Sequence, residues 1–251
     1  MKMGMIPFNG WMPLTYSAAP IPAAALLSGA GVKAGVIGLL RFLPLGIPLE
    51  GWGNALVVLG FLCAFYGVVF GLTQRNPKVI LAYSSISQMG VIAAALGMGL
   101  VKGQADVSLD VAFYAANHLL VKAALFLAIG VLATRGVKLS QPTFILAALL
   151  ALSLAGLTLT GGALAKLATK AQFAGGPEAT LATLSSIGTA LLMTHFLICL
   201  AAPPPGATAI PDGSRRAEGR GRDHRPAPDR AVAPATRQGD VPCSRKRPPL
   251  V

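Results

Sequence analysis

The sequence predicts an all-α fold, a polytopic transmembrane helical bundle with discontinuous helices. Three observations carry that expectation. The chain is 54% hydrophobic but only 12% charged, about half the charged fraction of a soluble domain. Apolar runs of about 20 residues, the length that crosses about 30 Å of hydrocarbon, recur between short loops marked by Pro, Gly and charge. These runs are continuous rather than alternating, which argues against the dyad-patterned strands of a membrane barrel.

In order, the pattern gives one partial span and about six full ones. The partial span covers 1–17 and is expected to be broken by Pro7 and Pro13, since proline lacks an N–H and crowds the preceding turn. The full spans cover approximately 20–42, 52–73, 79–100, 109–134, 142–169 and 180–202. ALLSGAGVKAG (25–35) supplies small residues that permit close helix approach. Pro77-Lys78 begins the span at 79–100. In 142–169, Gly161-Gly162 is the expected interruption, which would leave backbone polar groups free to face a cavity. Arg75, Lys78, Arg135 and Lys138 lie in loops without acids, so those loops are expected on the cytoplasmic side, with Arg41 opposing the trend.

Residues 1–202 form the expected membrane domain, with eleven Lys/Arg against four Asp/Glu. Residues 203–251 hold ten Lys/Arg, five Asp/Glu and ten prolines, too little apolar surface to offset ordering entropy. That segment is expected to be a disordered basic tail touching anionic headgroups; a reading frame altered near residue 203 would give the same break in composition. Nucleic acid is excluded as a partner, because aromatics do not interleave with the basic residues. Cys63, Cys199 and Cys243 show no spacing for a disulfide frame or a metal site. MKMGMIP lacks the apolar core and cleavage site of a secretory signal.

Lys33 and Lys122 fall near the middle of their spans, where a charge costs about 2.5–3.5 kcal/mol. Lys166 follows the glycine pair in TLTGGALAK. No Asp or Glu falls in the interior of a span, so either the amines are neutral or water, His118 and a partner supply what is missing. Desolvation disfavours the charged form of an amine, which brings proton binding and release towards neutral pH. His118 and Lys122, four residues apart, share one helix face. The competing expectation is structural: a lysine that hydrogen-bonds a carbonyl and helps helices pack. AYSSISQMG (82–90) adds Tyr83, Ser84, Ser87 and Gln88 as polar lining of a hydrated path, or as interhelical hydrogen-bonding residues. His195 is expected to be a packing residue with one hydrogen bond.

Four stretches then stand together: KMGMIPFNGWMPLTYSAAPIPAAALLSGAGVKAG (2–35), NPKVILAYSSISQMG (76–90), FYAANHLLVKAALFLAIG (113–130) and LAGLTLTGGALAK (154–166). In order, they resemble the antiporter-like proton-translocating membrane subunits shared by complex I, multisubunit sodium/proton antiporters and energy-converting hydrogenases. The resemblance implies two inverted five-helix repeats, each with a discontinuous helix; the second would be complete here and the first incomplete. It implies a proton relay through Lys2, Lys33, His118, Lys122 and Lys166, and it matches Lys78 to a basic residue at a helix start. The family's glutamate helix is absent, Asn9 stands where many members have His, and LAT follows Lys166, so a truncated chain is expected.

The implied function is proton translocation within a respiratory NADH:quinone oxidoreductase-type or hydrogenase complex, TGGALAK leaning towards the hydrogenase type. A cation/proton antiporter subunit and a non-conducting structural fragment are the alternatives. No catalytic residue, cofactor or metal is expected in this chain, so redox chemistry would belong to partner subunits. The expected partners are other membrane subunits, the lipid bilayer, and protons or sodium ions, in a bacterial plasma membrane.

Overall fold

The computed structural model describes residues 2–135, 140–173 and 175–202. The expected tail at 203–251, and Lys138, lie outside the described residues. In order the elements are α1 (Trp11–Ala18), α2 (Ile21–Leu26), a π-helical turn (Leu27–Gly31), α3 (Val32–Phe42), α4 (Glu50–Leu72), α5 (Pro77–Lys102), α6 (Val107–Arg135), α7 (Gln141–Ala155), α8 (Gly161–Ala171) and α9 (Pro177–Ala201). The described chain is thus an all-helical membrane bundle. Ile21–Phe42, α4, α5, most of α6 and α9 are each long and apolar enough to cross a bilayer, and α7 is a shorter apolar helix.

Proline acts where backbone donors are missed. Pro13 sits in the first turn of α1, where its absent N–H had no intrahelical partner to lose, so it does not break the helix as expected. The break comes at Ala19-Pro20, where Ala19 turns extended (ψ 144°) ahead of the ring. Residues 20–42 continue as α2, the π-helical turn and α3. Within the turn the Val32 N–H bonds to the Leu27 carbonyl, one residue further back than in a regular α-helix. The span expected at 142–169 is two helices in series. α7 ends at Gly156 (φ 97°), and α8 starts after Thr160, whose side chain accepts from the Ala163 N–H at 3.4 Å. The interruption therefore lies just before Gly161-Gly162. Gly162 itself presses against the Ser153 carbonyl, which leaves no room for a Cβ.

α5 is the central helix, with 83% of its span buried against 33–50% for the others. It starts on Asn76, whose side chain accepts from the Lys78 N–H at 3.0 Å, with Pro77 next, and it stops at Gly103 (φ 64°). A short loop turns α4 back along it, and glycines set how close the two come. A Cβ on Gly60 would stand 2.6 Å from the Gly90 carbonyl, and on Gly53 2.7 Å from that of Gly97. On Gly67 it would stand 2.6 Å from the Tyr83 carbonyl. The seven-residue spacing of Gly53, Gly60 and Gly67 keeps one face of α4 bare, as close packing within a membrane requires. Outward faces carry Leu62, Leu120, Ile187 and Ile198, all exposed and suited to lipid.

Candidate functional site

Tyr114, His118 and Lys122 recur every four residues and form a polar stripe along α6. All three are buried, His118 at 1% exposure and Lys122 at 0%. The Lys122 amine donates to the Leu81 carbonyl at 2.8 Å and to the Ser84 hydroxyl, both on α5. Neither ring nitrogen of His118 has a protein partner.

The π-helical turn rests on the same stretch of α6. Gly29 faces Leu119 and Ala123, and a Cβ there would lie 3.7 Å from that of Ala123. Just beyond the turn, buried Lys33 folds back and its Nζ donates to the Ser28 carbonyl at 2.9 Å. The irregular turn disturbs the usual i to i−4 pairing around Ser28 and so leaves this oxygen accessible to the amine. Lys33, His118 and Lys122 stand within electrostatic reach of one another.

On another side of α6, Gly161 at the start of α8 lies against the Asn117 side chain, a Cβ there being 3.0 Å from its oxygen. One turn further on, Lys166 donates to the carbonyl of Ala155, the last residue of α7, at 2.9 Å. A helix C-terminus presents unpaired carbonyls and the negative end of the helix dipole, so a basic group is favoured there. Lys78 does the same at the earlier break, donating to the Ala19 carbonyl at 3.0 Å where α1 ends. Among the described residues no carboxylate partners any of these four amines. A carbonyl accepts from an amine and from an ammonium alike. Its partial charge therefore holds the charged state less firmly than the full charge of a buried carboxylate would.

The expected site residues divide by place. Lys33, His118 and Lys122 come together, and Lys166 lines an adjoining pocket with Gln88, Tyr114, Ser185 and Thr189. Lys2 is exposed, its backbone against Gly35 of α3. Ser84 and Gln88 face the stripe. Ser87 is turned to Gly67 of α4, and Tyr83 stacks with Phe70 at 6.2 Å between centroids, also towards α4. His195 bonds the Gln74 carbonyl at 2.7 Å and ties α9 to the loop after α4.

Three residues in the site had escaped sequence reasoning. Tyr114 donates to the Gln88 carboxamide oxygen, the Gln88 Nε2 donates to Thr189 at 2.8 Å, and Thr189 donates to the Ser185 carbonyl at 2.8 Å. Tyr114 could have been found one step before His118 in the same four-residue stripe. Thr189 and Ser185 lie in an ordinary apolar span, where a small hydroxyl gives no signal.

Comparison with known proteins identifies the family and the fold. Residues 1–194 match the NADH:quinone oxidoreductase/Mrp antiporter transmembrane family. The chain is 35% identical over 146 residues to hydrogenase-4 component B of Escherichia coli K12, covering 53% of this chain and 22% of that protein. It is 42% identical over 106 residues to NADH-quinone oxidoreductase subunit N of Paraburkholderia phymatum, covering 41% and 21%. The fold is similar to a chain of respiratory complex I from Thermus thermophilus, solved with bound aureothin, with a TM-score of 0.63 and 25% identity over 81% of this chain and 47% of that one. The matched region thus spans less than a quarter of each of these two curated relatives. With a match over residues 1–194 and the broken helices in place, the chain belongs to the NADH:quinone oxidoreductase/Mrp antiporter transmembrane family.

Proposed function

We propose that this chain is a proton-translocating, antiporter-like membrane subunit of a respiratory NADH:quinone oxidoreductase-type or hydrogenase complex, seated in a bacterial plasma membrane beside other membrane subunits. Protons move along Lys33, His118 and Lys122 and onward to Lys166, and Lys2 extends the line at its exposed end. Ser84 and Gln88 line the path; Tyr83 and Ser87 contribute from the α4 side. Electron transfer belongs to partner subunits.

One observation carries this reading: amines at bilayer depth rest on backbone carbonyls and not on carboxylates. An intramembrane ionisable group is costly enough that a functional reason is the default expectation. A lysine on a carbonyl accepts a proton from one neighbour and passes it to the next without breaking an ion pair. The names of the two relatives, a hydrogenase component and a quinone oxidoreductase subunit, support the kind of complex.

Two other readings each have an observation behind them. The family description includes antiporters, which favours cation/proton exchange. The carbonyl bonds would also serve helix packing alone, which favours a non-conducting structural role. Proton uptake by liposomes carrying the complex that contains this chain, followed with a pH-sensitive dye during turnover, separates the three. The proposal expects uptake that does not require sodium. Sodium-dependent uptake would indicate an antiporter, and stable assembly without any proton flux attributable to this chain would indicate a structural role.

A further inference from the structure

We propose that the Gln88 carboxamide is a barrier in the proton line, separating the part around Lys122 from the part around Lys166, and that it opens by rotating away from Tyr114 and Thr189. The inference rests on the proton-translocation reading. Its basis is the direction of the hydrogen bonds around one side chain. α5 and α6 pair polar residues in antiparallel order: Ser84 meets Lys122, and Gln88, one turn further along α5, meets Tyr114, two turns back along α6. Eight residues of helix separate Lys122 from Tyr114, about 12 Å along the axis. Gln88 and Tyr114 then line the same pocket as Lys166. Gln88 thus stands on this polar face between Lys122 and the Lys166 pocket, and the proposed route runs through its turn.

The chain of bonds at that turn cannot forward it. The Tyr114 hydroxyl donates to the amide oxygen, the amide nitrogen donates to Thr189, and Thr189 donates to the backbone carbonyl of Ser185. An amide inserted in such a chain would have to pass through its imidic acid tautomer to relay a proton. The last acceptor, a backbone carbonyl, has no proton of its own to give on. Hydroxyls relay readily; the carboxamide does not.

Buried polar groups wait on both sides of it. His118 lies one turn from Tyr114 on the same stripe and has no protein partner at either ring nitrogen. Ser185 is 1% exposed and lines the Lys166 pocket, and its hydroxyl has no protein partner either. Buried polar groups of this kind are satisfied by water where space allows two or more polar partners. The cavity that Tyr114, Lys166, Ser185 and Thr189 line has room for about one water as it stands, and when the amide swings aside water can bridge their polar groups. Gln88 is therefore a positioning residue whose resting state insulates.

The test uses the complex containing this chain in liposomes, with passive proton flux read under an imposed pH gradient and no redox substrate. Gln88→Glu keeps the shape and inserts a group that carries a proton; its passive flux is expected to rise severalfold above that of the parent. Gln88→Met keeps similar bulk and carries nothing, so it is expected to leak clearly less than Gln88→Glu. Thr189→Val releases the amide nitrogen and is also expected to raise the leak; it decides the matter if Gln88→Glu fails to assemble. A Gln88→Glu complex as tight as the parent, or a Gln88→Met complex as leaky as Gln88→Glu, overturns the barrier. Turnover-driven uptake in Lys122→Met, measured alongside, separates the two claims: if that variant pumps normally the proton line falls too, and if only Gln88→Glu is silent the barrier alone falls.

Discussion

Lys122→Met is expected to lower turnover-driven proton translocation by about tenfold or more, equivalent to at least about 1.4 kcal/mol on the limiting step, while electron transfer in the partner subunits remains intact. Methionine approximates the volume of the lysine stem, so the site between α5 and α6 stays filled, but it has no proton to bind. The substitution also removes the cost of keeping an amine out of water, and the Ser84 hydroxyl it leaves behind can turn to the carbonyl four residues back on its own helix, as Ser85 does. The Leu81 carbonyl keeps the Ser85 hydroxyl, at 3.0 Å, as a donor. Loss of translocation with an unchanged melting temperature would therefore be loss of a carrier. Unchanged translocation would remove Lys122 from the relay.

The largest effect on stability is expected at Gly60. A Cβ there would meet the Gly90 carbonyl and the Ala94 N–H, both at 2.6 Å. Backbone cannot swing aside as a flexible side chain can, so α4 and α5 must separate. Gly60→Val should cost about 3 kcal/mol or more, at the upper end of overpacking penalties, read as unfolding in mixed micelles. Gly38→Ala is the control, since nothing lies within 4 Å of the position where its Cβ would be. Its cost should be negligible, and helix propensity would favour it by up to about 1 kcal/mol. Because α5 carries Leu81, Ser84 and Gln88, the wedge at Gly60 should impair translocation as well.

Much of this architecture could be read from the residues. Long apolar runs between Pro- and Gly-marked loops gave the helices, and the two lysines at mid-span stood out because hydrocarbon makes charge expensive. The break in the fifth full span was legible in its glycines, although the chain turns a few residues earlier, at Gly156. Pro13 misled because its effect depends on which turn it occupies, and the sequence does not say where α1 begins. The pairing of α4 with α5 went unread: Gly53, Gly60 and Gly67 were visible, but only the opposing backbone explains their spacing. Ser84 could not be separated from Ser87 without the helix's orientation, which turns one to Lys122 and the other to Gly67. Thr189 lies 101 residues from Gln88, a contact that tertiary packing alone creates.

The carbonyl partners of the amines unite these points. The π-helical turn and the two helix breaks each free a backbone oxygen, and a lysine occupies it in each case. The irregularities in the helices and the positions of the lysines are thus one feature seen twice.

The central claim is that these amines hand protons onward through water that reaches them inside the bundle. A density map of the complex containing this chain, sharp enough to show ordered water, tests it most directly. The account predicts water at the His118 ring nitrogens, continuing towards Lys33 and Lys122 and, past Gln88, into the chamber at Lys166. A dry, apolar interior around those side chains, with the lysines reaching out to lipid headgroups, would contradict it.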